Sequence, residues 1–326
     1  MKGLAVLAVS VLLALAGCSA EEHSWVDEEV SFSADGLTIH GSYRHQQNAG
    51  PGPAALLISE SGPTDRNGDN AVVGAIGNMR QLAEQLSASG VASLRYDKVG
   101  TGKTGLGRYK PNDVVSAVYT TGAAAAVRYL ADQPGTDKER ISVYGLGEGT
   151  IHAISLATDG TTPGAPKIHS LGLFQPLPGR YLDIITNRVR ADASPQTLST
   201  WLAAVDEVRT KGTVSAQLPE GLGAIVNQGN VKAVVEADKI DPAQLAGKVP
   251  AGTPVLLTCS DTDNQSKCDA LSPLIDALKH TSLTVVELHG VNHVLRDDPS
   301  DNIANLTKPG PLSPQLVSKL DVFVTE

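Results

Sequence analysis

The chain has 326 residues, a formal net charge of −9 and only 4% aromatic residues. That acidic balance excludes the basic footprint of a nucleic-acid-binding protein, so no nucleic-acid partner is expected. The length suffices for one large core with an inserted cap. Met1 and Lys2 precede an apolar run from Leu4 to Ala16, which reads as a secretory signal with a short cationic start, and the run is too short to span a bilayer.

The segment Leu15-Ala16-Gly17-Cys18 resembles the lipobox of bacterial lipoproteins, in which cleavage precedes a cysteine that becomes lipidated. The resemblance implies Cys18 as first mature residue and acylation site. Two or more acyl chains give stable anchorage where one does not. We therefore expect export, a signal peptide over 1–17, a lipidated tether over 18–27 and a domain held at the cell envelope.

Val30–Ser33 and Leu37–Tyr43 alternate about Asp35-Gly36, the pattern of a β-hairpin. The period then changes. Ala54–Ser59, Val91–Arg95 and Ile141–Gly145 are apolar strands, separated by helix-periodic stretches over Ile76–Ser89 and Asp113–Asp132 and followed by a helix from about Gly149. Doubly buried strands alternating with helices predict an α/β fold with a mostly parallel sheet and helices on both faces. Regularity lapses over 177–249, where Pro195–Lys211 and Val231–Ala237 are helical without intervening strands, so this segment reads as a helical cap between core halves 28–176 and 250–326. A strand at Pro254–Thr258, a helix over Asp269–Lys279, a strand at Leu283–Leu288 and a helix over Pro314–Phe323 complete the pattern.

Gly145-Leu146-Gly147-Glu148-Gly149 stands between a predicted strand and helix. It has the glycine spacing of a nucleophile elbow, but its central position, normally serine, is Gly147. A glycine-rich turn before a helix also suits phosphate, although the motifs downstream fit a hydrolase better. The strand ending in Cys259 runs into an acidic loop carrying Asp263, and the next strand runs into His289-Gly290-Val291-Asn292-His293. Elbow, acid and histidine follow in the chain order of an α/β-hydrolase triad, with Asp263 as acid and His293 as base. Asp65, Asn67 and Asp69 begin like a calcium loop, yet Asn70 and Ile76 occupy the positions that require glycine and glutamate. We assign neither a metal nor a cofactor. Cys259 and Cys268 are close enough in sequence to form a disulfide in an oxidising compartment, with two buried thiols as the alternative.

On these residues the chain resembles the α/β-hydrolase superfamily, and within it bacterial esterase-like members with an inserted cap. Glu60-Ser61-Gly62-Pro63-Thr64-Asp65-Arg66 stands where that group has Gly-Ser-Gly-Pro-x-Asp-Arg, so Glu60 departs from the pattern. Leu94 to Thr104 and Gly290-Val291-Asn292-His293 match two further signatures. The resemblance implies an oxyanion hole formed by the N–H groups of Ser61 and Glu148, a residual triad of Asp263 and His293, and a lost nucleophile at Gly147. Loss of a triad serine costs about 10⁶ in turnover. Three functions follow: a pseudo-hydrolase binding a small apolar acyl or ester-like ligand, an active carboxylesterase or thioesterase using water or an unforeseen nucleophile, or a non-catalytic interaction scaffold. Gly147 also relieves the backbone strain usual at an elbow, so Gly147→Ser is expected to lower stability.

Overall fold

The computed structural model describes residues 24–159, 164–215, 217–219 and 221–325; the expected signal and Cys18 lie outside them. Strands β1 (Trp25–Ala34) and β2 (Leu37–Gln46) form an antiparallel hairpin. Asp35 and Gly36 turn it with φ of 49° and 77°, and two positive φ values in a two-residue loop match the twist of the flanking strands. Because β1 starts at Trp25, residues 25–27 of the expected tether are strand instead. The Asp27 carboxylate is tied down by Arg44 at 2.7 Å and by Arg95 at 2.6 Å.

Strand β3 (Gly52–Ile58), helix α1 (Asn78–Ala88), β4 (Ala92–Tyr96), α2 (Ser116–Ala131), β5 (Thr136–Leu146), α3 (Gly149–Asp159) and β6 (Ser170–Phe174) follow in order. The predicted helix from Asp113 starts at Ser116 because Pro111–Asp113 form a 3₁₀ turn first. The sequence reading did not mark β6. It has five residues with Gly172 at its centre, and a Cβ at Gly172 would overlap the Tyr144 ring on the neighbouring strand.

Among the described residues five helices then leave the sheet: α4 (Tyr181–Asp192), α5 (Pro195–Lys211), α6 (Leu222–Ile225), α7 (Val231–Asp238) and α8 (Pro242–Ala246). Trp201, Leu182, Val205 and Val208 build a separate apolar cluster for this excursion. Ser194 caps α5 through the Thr197 N–H, and Gly212 ends it at φ 67°. Buried Asp238 accepts hydrogen bonds from Arg180, Arg209 and the Leu182 N–H. The last helix behaves differently, since Ala246 and the following Val249 join the main core.

Strand β7 (Pro254–Ser260), α9 (Ser272–Ala277), β8 (Ser282–Leu288) and α10 (Pro314–Phe323) complete the fold. The eight strands run in the order β1-β2-β4-β3-β5-β6-β7-β8, with β2 antiparallel to its neighbours and the pairs from β4 to β8 parallel. Ala54, Leu56 and Ile58 pack in one layer with residues of α2 and α3, while Ala55 and Leu57 pack in the other with α1 and α10. This two-sided burial explains the unbroken apolar runs. It also leaves the carboxyl ends of the parallel strands as the edge where loops can gather functional groups. Among the described residues no helix is long and apolar enough to cross a membrane.

Candidate functional site

The residues expected as acid and base come from neighbouring loops at the carboxyl edge. Asp263 follows β7 and is fully buried; its Oδ1 accepts from the Gln265 N–H at 2.7 Å. His293 follows β8 and is 5% exposed. Its Nδ1 lies 2.8 Å from Asp263 Oδ2. Asp301, which the sequence reading did not single out, bridges the two loops by accepting the N–H groups of His293 and Asn264 at 3.1 and 3.0 Å. Asp261 is tied in as well, accepting from the Gly290 N–H at 2.8 Å and contacting His289 at 3.1 Å. Cys259 and Cys268 are bonded, closing the loop that carries Asp263.

The elbow stands between β5 and α3. Gly147 has φ 54°, in the left-handed region where a side chain costs energy. Its N–H donates to Phe174 O at 3.0 Å, and Thr150 Oγ1 turns back onto Gly147 O at 2.6 Å. A Cβ at Gly147 would overlap Glu60 Oε2.

Glu60 fills the space that an elbow side chain would need. Its Oε1 accepts from the N–H of Ser61 at 2.6 Å and of Glu148 at 3.2 Å, the two donors implied for an oxyanion hole. Its Oε2 lies 2.8 Å from His293 Nε2. One carboxylate thus spans the expected anion site and the base, much as a bound product acid would. Glu60 and Gly147 are the two positions at which the sequence departs from the pattern it resembles, but nothing in one dimension places them together.

A second set of bonds holds Glu60 there. Lys98 is buried and donates through Nζ to Ser59 Oγ at 2.8 Å and to the carbonyls of Ser59, Glu60 and Thr64. Asp97, 1% exposed, accepts from the Arg66 N–H and Nε at 2.9 and 3.1 Å and from the Lys103 N–H at 2.8 Å. Gly102 is required beside it, because a Cβ there would overlap the Asp97 carboxylate. The two signature segments around Arg66 and Asp97 are therefore one bonded unit.

Electrostatics follow from this packing. Burial works against an ionised Glu60, but the hydrogen bond and charge of His293 and the Ser61 and Glu148 N–H groups outweigh it and hold the carboxyl at about 2. Burial likewise opposes a charged His293, yet Asp263 and Glu60 on either side keep it protonated well above its ordinary value. Both ring nitrogens then donate. An imidazolium is held between two carboxylates and has no lone pair with which to accept a proton. Burial pulls Lys98 down to about 8 against the nearby carboxylates, and burial raises Glu148, with Lys98 opposing.

A cavity of about 330 Å³ lies between core and cap, walled by Ile151, Leu177, Ile184, Ile185, Ile225 and Ile240, with Glu60 and Glu148 on its surface. This size and character suit a small apolar ligand. A larger depression of about 660 Å³ around Pro53, Arg140 and His169 lies at the opposite edge of the sheet and contains no part of the dyad. Among the described residues no cluster of potential metal ligands occurs.

No family model and no curated protein sequence matches the chain. Solved structures do. An esterase from Pyrococcus furiosus superposes with a TM-score of 0.57 at 18% identity, covering 93% of this chain and 92% of that one. Est1E from Butyrivibrio proteoclasticus gives 0.57 at 16% identity over 91% and 97% of the two chains, and acetyl xylan esterase 1 from Thermoanaerobacterium gives 0.56 at 13% identity over 93% and 88%. The fold is the α/β-hydrolase fold, and its structural neighbours are esterases.

Proposed function

We propose that this chain is a cell-envelope lipoprotein, anchored through Cys18, whose hydrolase-type site binds a small apolar acyl or ester-like ligand without cleaving it. The observation that carries the reading is Glu60. Its carboxylate occupies both donors needed by a tetrahedral oxyanion and caps the nitrogen needed by a general base. Preorganised N–H donors help only if the developing oxyanion can reach them, and loss of a single donor already costs on the order of 10²–10³ in turnover. With no hydroxyl at Gly147 and no free lone pair on His293, neither acyl transfer nor base-activated water has its starting group. The apolar core–cap cavity supports retention of binding.

The test is hydrolysis of short aryl esters by wild type, Gly147→Ser and Glu60→Gly/Gly147→Ser. Wild type and the single variant are expected to stay at background, because Glu60 still fills the anion site. The double variant is expected to gain at least about 10²-fold, the worth of one freed oxyanion donor. Wild-type turnover abolished by His293→Ala overturns the reading in favour of an active esterase.

A further inference from the structure

An acyl group cannot place its carbonyl on the N–H groups of Ser61 and Glu148, because both are bonded to Glu60 Oε1. The charges at this inner end are answered from within. Glu60 meets His293 at 2.8 Å, and Lys98 stands close enough to oppose the burial that raises Glu148. The polar end of a ligand therefore has to be received elsewhere on the wall.

Helix α4 supplies that place. Tyr181, Ile184, Ile185 and Arg188 all line the cavity, and their spacing of i, i+3, i+4 and i+7 makes them one stripe of the helix, roughly 10 Å from end to end. Arg188 is the outer end of the stripe: it is exposed and also borders an open surface groove. Its one hydrogen bond among the described residues goes to Gln265 Oε1 at 3.4 Å, a long contact that leaves most of its five donors unused. Asp192, one turn further along the groove, does not pair with it. Gln265 also lines the cavity and stands on the loop of Asp263, so a cap residue and a core residue meet at the mouth. With its Oε1 turned to Arg188, the Gln265 amide has its NH₂ left to donate. Burial raises the Tyr181 phenol, Glu148 adds to the rise and Arg188 opposes it, which sets this hydroxyl within the fields of both the inner end and the mouth.

We propose that the cavity takes its acyl ligand as a carboxylate and in reverse of the hydrolase sense, with the anionic head at the mouth on Arg188 and Gln265 and the apolar chain inward against the isoleucine wall. The inference rests on the binding reading above and names the polar end and the direction of the ligand. A guanidinium fork matches a carboxylate with two parallel, charge-assisted hydrogen bonds. Turned the other way, the carboxylate would meet Glu60 and Glu148, acceptor against acceptor, while its chain faced water. An ammonium head at the mouth would meet Arg188 as like to like, and a neutral head forgoes the charge.

The experiment is calorimetric titration of the purified full chain with octanoate, 1-octanol, methyl octanoate and octylammonium at neutral pH, repeated on Arg188→Gln after its urea midpoint has been matched to wild type. Octanoate is expected to bind at least tenfold more tightly than the other three. Arg188→Gln is expected to bring octanoate to within threefold of 1-octanol. Binding of any other probe equal to or tighter than octanoate overturns the inference and leaves the binding reading standing. So does a preference for octanoate that survives Arg188→Gln unchanged. Failure of all four probes to bind overturns both, and cleavage of methyl octanoate strikes at the non-hydrolytic reading instead.

Discussion

The two halves of the site are built differently. The half after β7 and β8 holds Asp263 and His293 at 2.8 Å, with Asp301 and a disulfide steadying their loops. In the half after β3 and β5 the Glu60 side chain fills the space beside Gly147. Its carboxylate satisfies two N–H groups and an imidazolium, groups that are costly to leave unpaired when buried.

The largest expected effect tests whether the half carrying Glu60 is as rigid as the other. Asp97→Ala removes the buried carboxylate that Arg66 uses together with half-exposed Glu29, and breaking a buried pair by deleting one partner costs about 3–5 kcal/mol. Urea unfolding measures it; a loss under about 1 kcal/mol would mean that the Glu60 loop is loosely held. Gly147→Ser follows. It adds a side chain at φ 54° and into Glu60, for about 2–4 kcal/mol from strain and overpacking together. Glu60→Gly in the same chain is expected to restore most of the overpacking part, and strict additivity of the two changes would refute the contact.

The half carrying Asp263 and His293 is probed by converting Cys259 and Cys268 to serine. Opening a loop of separation 9 is expected to cost about 2–3 kcal/mol, read from the denaturation midpoint. The contact between the halves has its own pH signature. Glu60, lowered to about 2 from 4.5, adds stability that is complete above about pH 4.5 and drains away as pH falls toward 2, on the order of 2–3 kcal/mol. His293, raised above 6.5, adds stability that is complete below 6.5 and declines as pH climbs through its folded value. Glu60→Gln should flatten both limbs; an unchanged profile in that variant would separate Glu60 from His293. The smallest effect is expected for exposed Arg188, where alanine should shift stability by less than about 0.5 kcal/mol.

Much of the fold was legible because its determinants are local or periodic. Doubly buried strands showed as unbroken apolar runs, and Asp35-Gly36 marked a turn by its φ preferences. Helix α5 has the bounds its pattern predicted, Pro195–Lys211. Strand β6 was missed because a five-residue run centred on Gly172 acquires its identity from the Tyr144 ring beside it. The tether was drawn too long because nothing in Trp25-Val26-Asp27 announces that Arg44 and Arg95 wait across the sheet.

The site divides along the same line. Sequence alone located the glycine turn around Gly147 and the chain order of Asp263 and His293, and the family resemblance pointed to the Ser61 and Glu148 N–H groups, because each is a short motif tied to one strand end. Tertiary structure alone decided what stands beside Gly147. Glu60 lies 87 residues before Gly147 and 233 before His293, and only the parallel sheet brings their strand ends to one edge. Whether a carboxylate there is a stray charge or a plug in an anion site depends on which donors it meets, a property of three-dimensional packing that no local pattern encodes.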